Sequence, residues 1–252
     1  MESLRIGVPS KGRLSERAED LLKQAGLRFN RPARSLFAKV RDKPVEITFL
    51  RTDDIPVLCA EGAIDMGITG SDLVAESMAD VQTRLALGVG KCRLAVCVPE
   101  ASDITEPAQL RGVRMATSFP NVTQAYLEKH GGDARIVALS GSVEVMVALG
   151  VADAIVDLVE TGSTLAANGL RILDEIGQYE TVLIQGPNLQ NPTLADRIVR
   201  RIEGVVIARE YTLLEYNIAR DRLKEAEAIT PGYRSPTVNA LEDSAWCAVQ
   251  VM

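Results

Sequence analysis

The chain has 252 residues, 46% hydrophobic and 25% charged, the make-up of an ordinary globular protein with room for two lobes and a tail. A net charge of −6 without any basic run argues against nucleic acid and against an anionic membrane as partners. Aromatic residues, at 4%, leave no stacking platform for single strands, and Cys59, Cys92, Cys97 and Cys247 have neither metal-ligand nor redox spacing.

The start, Met-Glu-Ser-Leu-Arg-Ile-Gly-Val, already reads as a strand, with Leu4–Val8 at its centre; no signal peptide or long apolar stretch is expected, and the cytoplasm is the expected location. Pro9-Ser10-Lys11-Gly12-Arg13 is then a loop, and a helix with Leu14, Ala18, Leu21, Leu22 and Ala25 on one face stops at Gly26. A basic loop at the carboxyl end of a first strand lies where open α/β sheets bind ligands, although Lys11 and Arg13 would also serve as plain solvated charges. Ser35–Val40 and Val45–Leu50 predict a hairpin. In Arg51-Thr52-Asp53-Asp54-Ile55-Pro56, Asp53 or Asp54 is expected to cap the helix running through Glu61, and Arg51 offers a planar donor fork at a strand end.

An internal echo follows. Gly62-Ala-Ile-Asp65 and Gly150-Val-Ala-Asp153 each give a helix stop, two residues, an aspartate and then a buried strand. Each strand runs into a hydroxyl-bearing loop, Thr69-Gly70-Ser71-Asp72 in one and Thr161-Gly162-Ser163-Thr164 in the other. Two such units predict two α/β lobes facing a cleft, an arrangement that recurs in solute-binding proteins. Between them, Arg84–Val89 and Arg93–Val98 read as strands joined at Gly88-Val-Gly-Lys91, the crossing between lobes. A helix begins near Pro120 and ends at His130, whose place before two glycines suits a dipole-complementing surface residue better than a catalyst. Ser140-Gly-Ser-Val-Glu144 is expected to open a further helix, with Glu144 as a capping-box acid or a cleft residue.

The central stretch carries most of the chemistry. Ala154–Val159 is short, apolar and β-branched, as in a buried strand, and it breaks into Thr161-Gly162-Ser163-Thr164. Hydroxyls, a glycine and the free N–H groups of a first helical turn make an anion cradle; the same residues also fit a simple N-cap. Asp157 and Glu160 beside the cradle suit sugar hydroxyls or hydrated magnesium, so that a phosphorylated sugar satisfies the whole stretch. After it come strands at Leu170–Ile176 and Thr181–Ile184, a long helix from about Pro192 to Ala208, a short helix to Ile229, the run Thr230-Pro-Gly-Tyr-Arg-Ser-Pro-Thr237, and a last strand over Ala245–Met252.

Asp-Ala-Ile-Val-Asp-Leu-Val-Glu-Thr-Gly-Ser-Thr-Leu over 153–165 closely resembles the signature segment of the ATP phosphoribosyltransferase family. Lys-Gly-Arg-Leu after the first strand, Arg-x-Asp-Asp-Ile-Pro, Gly-Ser-Val-Glu and Thr-Pro-Gly…Ser-Pro-Thr are similar to further segments of it. The resemblance implies an α/β fold, a two-lobed, periplasmic-binding-protein-like (type II) catalytic part with a partial ferredoxin-like C-terminal module. The lobes are then 1–90 with 178–208 and 91–177, and the module is 209–252. It implies transfer of a phosphoribosyl group from phosphoribosyl pyrophosphate to N1 of ATP, with Mg2+ held mainly by substrate phosphates, in a homo-oligomer, dimer or hexamer. By the same resemblance Lys11, Arg13 and Asp157 are catalytic, and Asp157, Glu160, Thr161, Gly162, Ser163 and Thr164 hold phosphoribosyl pyrophosphate. Lys11, Gly12, Arg13, Arg51 and Gly70 hold ATP, and Ser235 and Thr237 belong to regulation. The family's module continues for another helix and strand, so a weak response to histidine is expected, with Ile218, Val238, Val249 and Val251 as exposed apolar surface. A two-lobed binding protein and a non-catalytic regulatory subunit are the alternatives.

Overall fold

The computed structural model describes residues 3–31 and 35–252; Met1 and Glu2, read above as part of the first strand, lie outside that range. The first sheet is built from β1 (Leu4–Pro9), β2 (Phe37–Lys39), β3 (Val45–Leu50), β4 (Met66–Gly70) and β5 (Gln82–Ala86), interleaved with α1 (Gly12–Gln24), α2 (Ile55–Ala60) and α3 (Ser71–Ser77). The second sheet takes β6 (Cys92–Pro99), β7 (Arg114–Thr117), α4 (Pro120–Lys129), β8 (Arg135–Ala138), β9 (Ala154–Val159), α5 (Ser163–Ala167) and β10 (Leu170–Tyr179). The chain then returns to the first sheet with β11 (Thr181–Gln185) and continues into α6 (Pro192–Glu210).

The strand orders are β2-β3-β1-β4-β11-β5 and β10-β6-β9-β7-β8. In the first sheet β1 runs parallel to β3 and β4, while β11 enters antiparallel between β4 and β5. Leu4, Ile6 and Val8 of β1 are buried together with Gly7 between them, because a parallel strand in mid-sheet is covered on both faces. The same burial packs β9 from two sides: Ala154 and Val156 join Leu94, Val96, Met115 and Tyr126, while Ile155 and Val159 join Ala95, Cys97 and Leu165. Helix α1 ends through Gly26, whose N–H donates to the Lys23 carbonyl while the Leu27 N–H reaches the Leu22 carbonyl.

The sequence echo has a physical basis. Arg5 sends its backbone N–H (2.7 Å) and Nε (3.3 Å) to Asp65 and a second guanidinium nitrogen to the Gly62 carbonyl (2.9 Å). Arg114 repeats the device on Asp153 (3.0, 3.1 and 2.7 Å) and the Gly150 carbonyl (2.9 Å). In both sheets the arginine at the start of one parallel strand ties down the turn that feeds its neighbour. The two copies differ in burial: the Asp65 side chain is 1% exposed, the Asp153 side chain 45%.

Two chain crossings join the sheets and pair with each other. The Leu87 N–H donates to the Thr181 carbonyl and the Thr181 N–H to the Val89 carbonyl, both at 2.9 Å, and the Gly88 N–H reaches the Glu180 carboxylate at 3.1 Å.

The chain divides into two compact units inside α6, after Ile202. The second unit contains β12 (Leu214–Ala219), α7 (Leu223–Ile229), β13 (Thr237–Ala240) and β14 (Trp246–Val251) in an antiparallel sheet ordered β12-β14-β13. Cys247, Val249 and Val251 are buried there against Tyr216, Ile218 and Leu223.

Several local expectations are corrected. The segment 140–144 does not open an α-helix: Ser142 takes a left-handed conformation (φ 52°) and Val143–Val145 form a single 3-10 turn. Asp54 occupies the N-cap position of α2 as expected, but its side chain makes no capping bond; Asp53 and Asp54 lie in a 3-10 turn, Thr52–Asp54, and Pro56 occupies the helix's first turn. Strand β10 runs on to Tyr179 through two register shifts, and Val249 and Val251 are core residues because α7 covers their face, whereas Val238 is exposed.

Candidate active site

The carboxyl ends of β1, β4 and β9 open into one cleft of about 840 Å³. The first sheet contributes Lys11, Gly12 and Arg13 from the β1–α1 junction, Thr52, and Gly70 with Asp72 from the β4–α3 junction. The second contributes Glu144 and the run from Asp157 to Leu165. Lys91, Cys92, Glu180 and Thr181 line it where the chain crosses.

The hydroxyl loop is shaped by Gly162, which caps α5 in the left-handed conformation (φ 80°, ψ 0°) and turns the chain sharply out of β9. Thr161 Oγ1 lies 3.0 Å from Ser163 Oγ, so these hydroxyls lie side by side, and Glu160, Thr161, Ser163 and Thr164 are all exposed to the cleft. The Ala166 N–H closes the first helical bond on the Gly162 carbonyl, which leaves the Thr164 and Leu165 N–H groups ahead of it as orphan donors. An anion at this loop would meet hydroxyls and backbone N–H groups together.

Across the cleft, Lys11 is the N-cap of α1 and Arg13 lies in its first turn, with no acidic residue there to neutralise them. Arg17, one turn further on the same face, extends this basic wall. Burial pushes the Asp157 carboxyl above the usual range, the Leu158 N–H opposes that shift by donating at 2.8 Å, and Glu144 adds a like charge. Burial also raises Asp72, against the N–H groups of Asp72 and Leu73 that favour its ionised form, with Asp53 pushing further upward. Among cleft thiols, Cys92 is pushed up to about 11 by burial and by Asp72 and Glu160, so it stays protonated at neutral pH and unreactive. His130 does not line the cleft; it stacks on Tyr126 at 4.4 Å between ring centroids. The lining therefore offers fixed cations, hydroxyls and carboxylates without an activated nucleophile.

Of the residues singled out from sequence, Lys11, Gly12, Arg13, Gly70, Asp157, Glu160, Thr161, Gly162, Ser163 and Thr164 meet in this cleft. Arg51 is not among the lining residues; it is exposed at the head of the 3-10 turn, and its neighbour Thr52 lines the cleft instead. Ser235 and Thr237 lie in the second unit, both exposed, with Thr237 opening β13. The sequence reading missed Arg17, Asp72, Lys91, Glu180 and Thr181. Two of these carried a signal: Arg17 is one helical turn from Arg13, and Asp72 closes the Thr-Gly-Ser-Asp loop already noted.

A family model described as ATP phosphoribosyltransferase matches residues 51–204, and one described as HisG, C-terminal domain, matches 208–252. The chain is 66% identical over 249 residues to a Rhodopirellula baltica protein named ATP phosphoribosyltransferase, covering 99% of this chain and 83% of that one. A Pseudarthrobacter chlorophenolicus protein of the same name is 42% identical over 253 residues, covering 99% and 89%. Among solved structures, the ATP phosphoribosyl transferase (HisG:HisZ) complex from Thermotoga maritima has a chain matching with a TM-score of 0.72 and 33% identity, covering 81% of this chain and 99% of that one. The substrate-binding protein of an amino acid ABC transporter matches at a TM-score of 0.56 with 18% identity, over 83% and 95%, a likeness of fold alone.

Proposed function

This chain belongs to the ATP phosphoribosyltransferase family and transfers the phosphoribosyl group of phosphoribosyl pyrophosphate to N1 of ATP, the first step of histidine biosynthesis; we propose that the cleft just described is where the transfer occurs. The observation that carries the assignment is the pairing of a basic wall with a hydroxyl loop across one cleft that lacks an activated nucleophile.

In this reaction the bond from the anomeric carbon to pyrophosphate breaks as N1 of the purine bonds to that carbon. Negative charge gathers on the departing pyrophosphate while positive charge spreads over the ribose ring. Lys11, Arg13 and Arg17 meet the first need as cations lining the cleft. Asp157 meets the second: its carboxylate accepts from ribose hydroxyls and faces the cationic ring. Thr161, Ser163 and Thr164 with the first-turn N–H groups of α5 take the 5-phosphate, Glu160 flanks it, and Gly70 with Lys11, Gly12 and Arg13 borders the nucleotide. Arg51 is left out of this set. The two lobes, 1–90 with 178–208 and 91–177, supply the opposite walls, with 209–252 as a separate module.

Mg2+ fits the donor set only as a guest of the substrate. No group of three metal-binding side chains exists among the described residues, so Asp157 or Glu160 would add one or two oxygens to an ion otherwise held by diphosphate and water. Bound there, the ion would neutralise leaving-group charge. Assembly with further copies and a cytoplasmic location also belong to this proposal. The first is supported by Leu36 and Phe37, 56% and 55% exposed beside and in the edge strand β2. No helix among the described residues is long and apolar enough to cross a membrane.

The test is pyrophosphate release from ATP, phosphoribosyl pyrophosphate and Mg2+, compared between the native chain and Arg13→Ala. Loss of turnover is expected, and EDTA abolishes the native signal. An Arg13→Ala variant with unchanged kcat would refute the assignment of the basic wall.

A further inference from the structure

Besides the two chain crossings, a carboxylate from the first sheet's helix layer is hydrogen-bonded to a helix of the second. Glu76, near the C-terminal end of α3, places its carboxylate on the first turn of α4. One oxygen accepts from the Asn121 N–H and the other from the Val122 N–H, each at 3.0 Å. The Asn121 amide in turn donates to the Glu76 backbone carbonyl at 2.8 Å. Helix α4 has no cap of its own: Phe119 at the N-cap has no side-chain acceptor, and Pro120 has no N–H to offer. A carboxylate 45 residues earlier in the chain fills the role, at the end of the helix where negative charge is favoured. Leu73, one turn earlier on α3, packs beside it against the core of the second sheet.

From this geometry we propose that Glu76 is a positioning residue for the transfer, fixing the angle between the two walls of the cleft. The paired crossings at 87–89 and 180–181 lie together and define one hinge line. The Glu76 cap on α4, beside the packing of Leu73, gives a second point of attachment that opposes rotation about that line. It acts at the relevant end of the sheet. Helix α4 springs from the carboxyl end of β7, which runs parallel to β9, and β9 delivers the hydroxyl loop from the same end. The reaction joins a purine nitrogen on one wall to a carbon held on the other. The inference rests on that placement of the substrates. A bimolecular step between bound groups depends steeply on their alignment, with about a hundredfold loss for a displacement near 1 Å.

The experiment uses the full chain with Glu76→Ala and Glu76→Gln. Glutamine keeps one acceptor but turns an amide NH2 toward the other backbone N–H. Binary affinities for Mg2+–phosphoribosyl pyrophosphate and for ATP are measured by calorimetry, kcat by pyrophosphate release, and the radius of gyration by X-ray scattering. Expected for Glu76→Ala is a kcat reduced about tenfold or more, both binary affinities within threefold, and a larger radius of gyration; Glu76→Gln falls between this variant and the native chain. If Glu76→Ala does not fold, Glu76→Gln carries the same comparison. A kcat within twofold of native in the folded variants overturns the proposal. So does a parallel loss of kcat and both affinities, which would mark Glu76 as a structural cap alone. Failure of the underlying substrate placement shows separately, as unchanged phosphoribosyl pyrophosphate affinity when Thr161 and Thr164 are replaced by valine.

Discussion

Replacing Gly162 by alanine tests whether the hydroxyl loop works through its backbone shape. At φ 80° an L side chain costs about 1–2 kcal/mol of local strain. Sterics add nothing to this, because the nearest atom to the new Cβ is Val159 Cγ1 at 4.0 Å, an ordinary contact. The strain can be borne or released. Borne, it lowers global stability by that amount; released, it rotates the exposed turn and swings the Thr164 N–H away from the anion. Release is expected, since Glu160, Thr161, Ser163 and Thr164 are all exposed. Phosphoribosyl pyrophosphate affinity then falls about tenfold, equivalent to roughly 1.4 kcal/mol, while Tm moves little and ATP affinity stays. Gly131→Ala is the control, with φ 65°, nothing within 4 Å and a place outside the cleft; it should affect stability alone. Calorimetric titration with each substrate, beside thermal unfolding, decides. Affinity for phosphoribosyl pyrophosphate within twofold of native in Gly162→Ala would refute the reasoning, as would a selective loss of ATP.

Thr161→Val with Thr164→Val keeps shape but removes two donors to a charged group, each worth ~1.5–3 kcal/mol; phosphoribosyl pyrophosphate should weaken tenfold or more and ATP much less, as read by titration. Arg5→Ala leaves the buried Asp65 carboxylate short of partners, with Oδ1 already unpaired, so urea unfolding should show a loss of about 2–3 kcal/mol. Arg114→Ala, at an exposed version of the same clamp, should shift the urea midpoint much less than Arg5→Ala does. For Asp72 the folded carboxyl sits above its unfolded value of about 3.9, so its contribution to stability is complete below that pH and is lost as pH rises through the folded value. Asp72→Asn does not titrate and should therefore gain on the native chain between pH 4 and 7, measured as urea midpoints at both; a gap independent of pH would count against a raised Asp72.

Strands were easiest to see in the sequence where burial on both faces produces unbroken apolar runs, as in β1 and β9. The echo of Gly62–Asp65 in Gly150–Asp153 was visible because the same arginine clamp demands the same turn twice. What stayed hidden depends on distant partners. Glu76 reads as an ordinary polar residue near a helix end, and only its meeting with the first turn of α4 gives it a task. Ser140–Glu144 looked helical because its Ser-x-x-Val-Glu composition suits a cap, yet the left-handed Ser142 limits it to one 3-10 turn. Arg51 had the right chemistry at a strand end but sits one residue away from the cleft, a distinction that backbone geometry makes and composition cannot. Lys91 reads as part of a connection, because a lysine after Gly90 in a crossing carries no signal of what it faces.

The late return of β11 has a consequence for synthesis. This strand lies between β4 and β5, and β5 has no other neighbour in the sheet. On the ribosome the second sheet, contiguous from β6 to β10, emerges whole and can finish folding while the first still lacks an interior strand. Until β11 leaves the exit tunnel, β4 presents an open edge to any other nascent chain. A translational pause that leaves β10 outside the exit tunnel and β11 still within it would therefore hold the protein at its most vulnerable stage, with one half complete and the other unable to close.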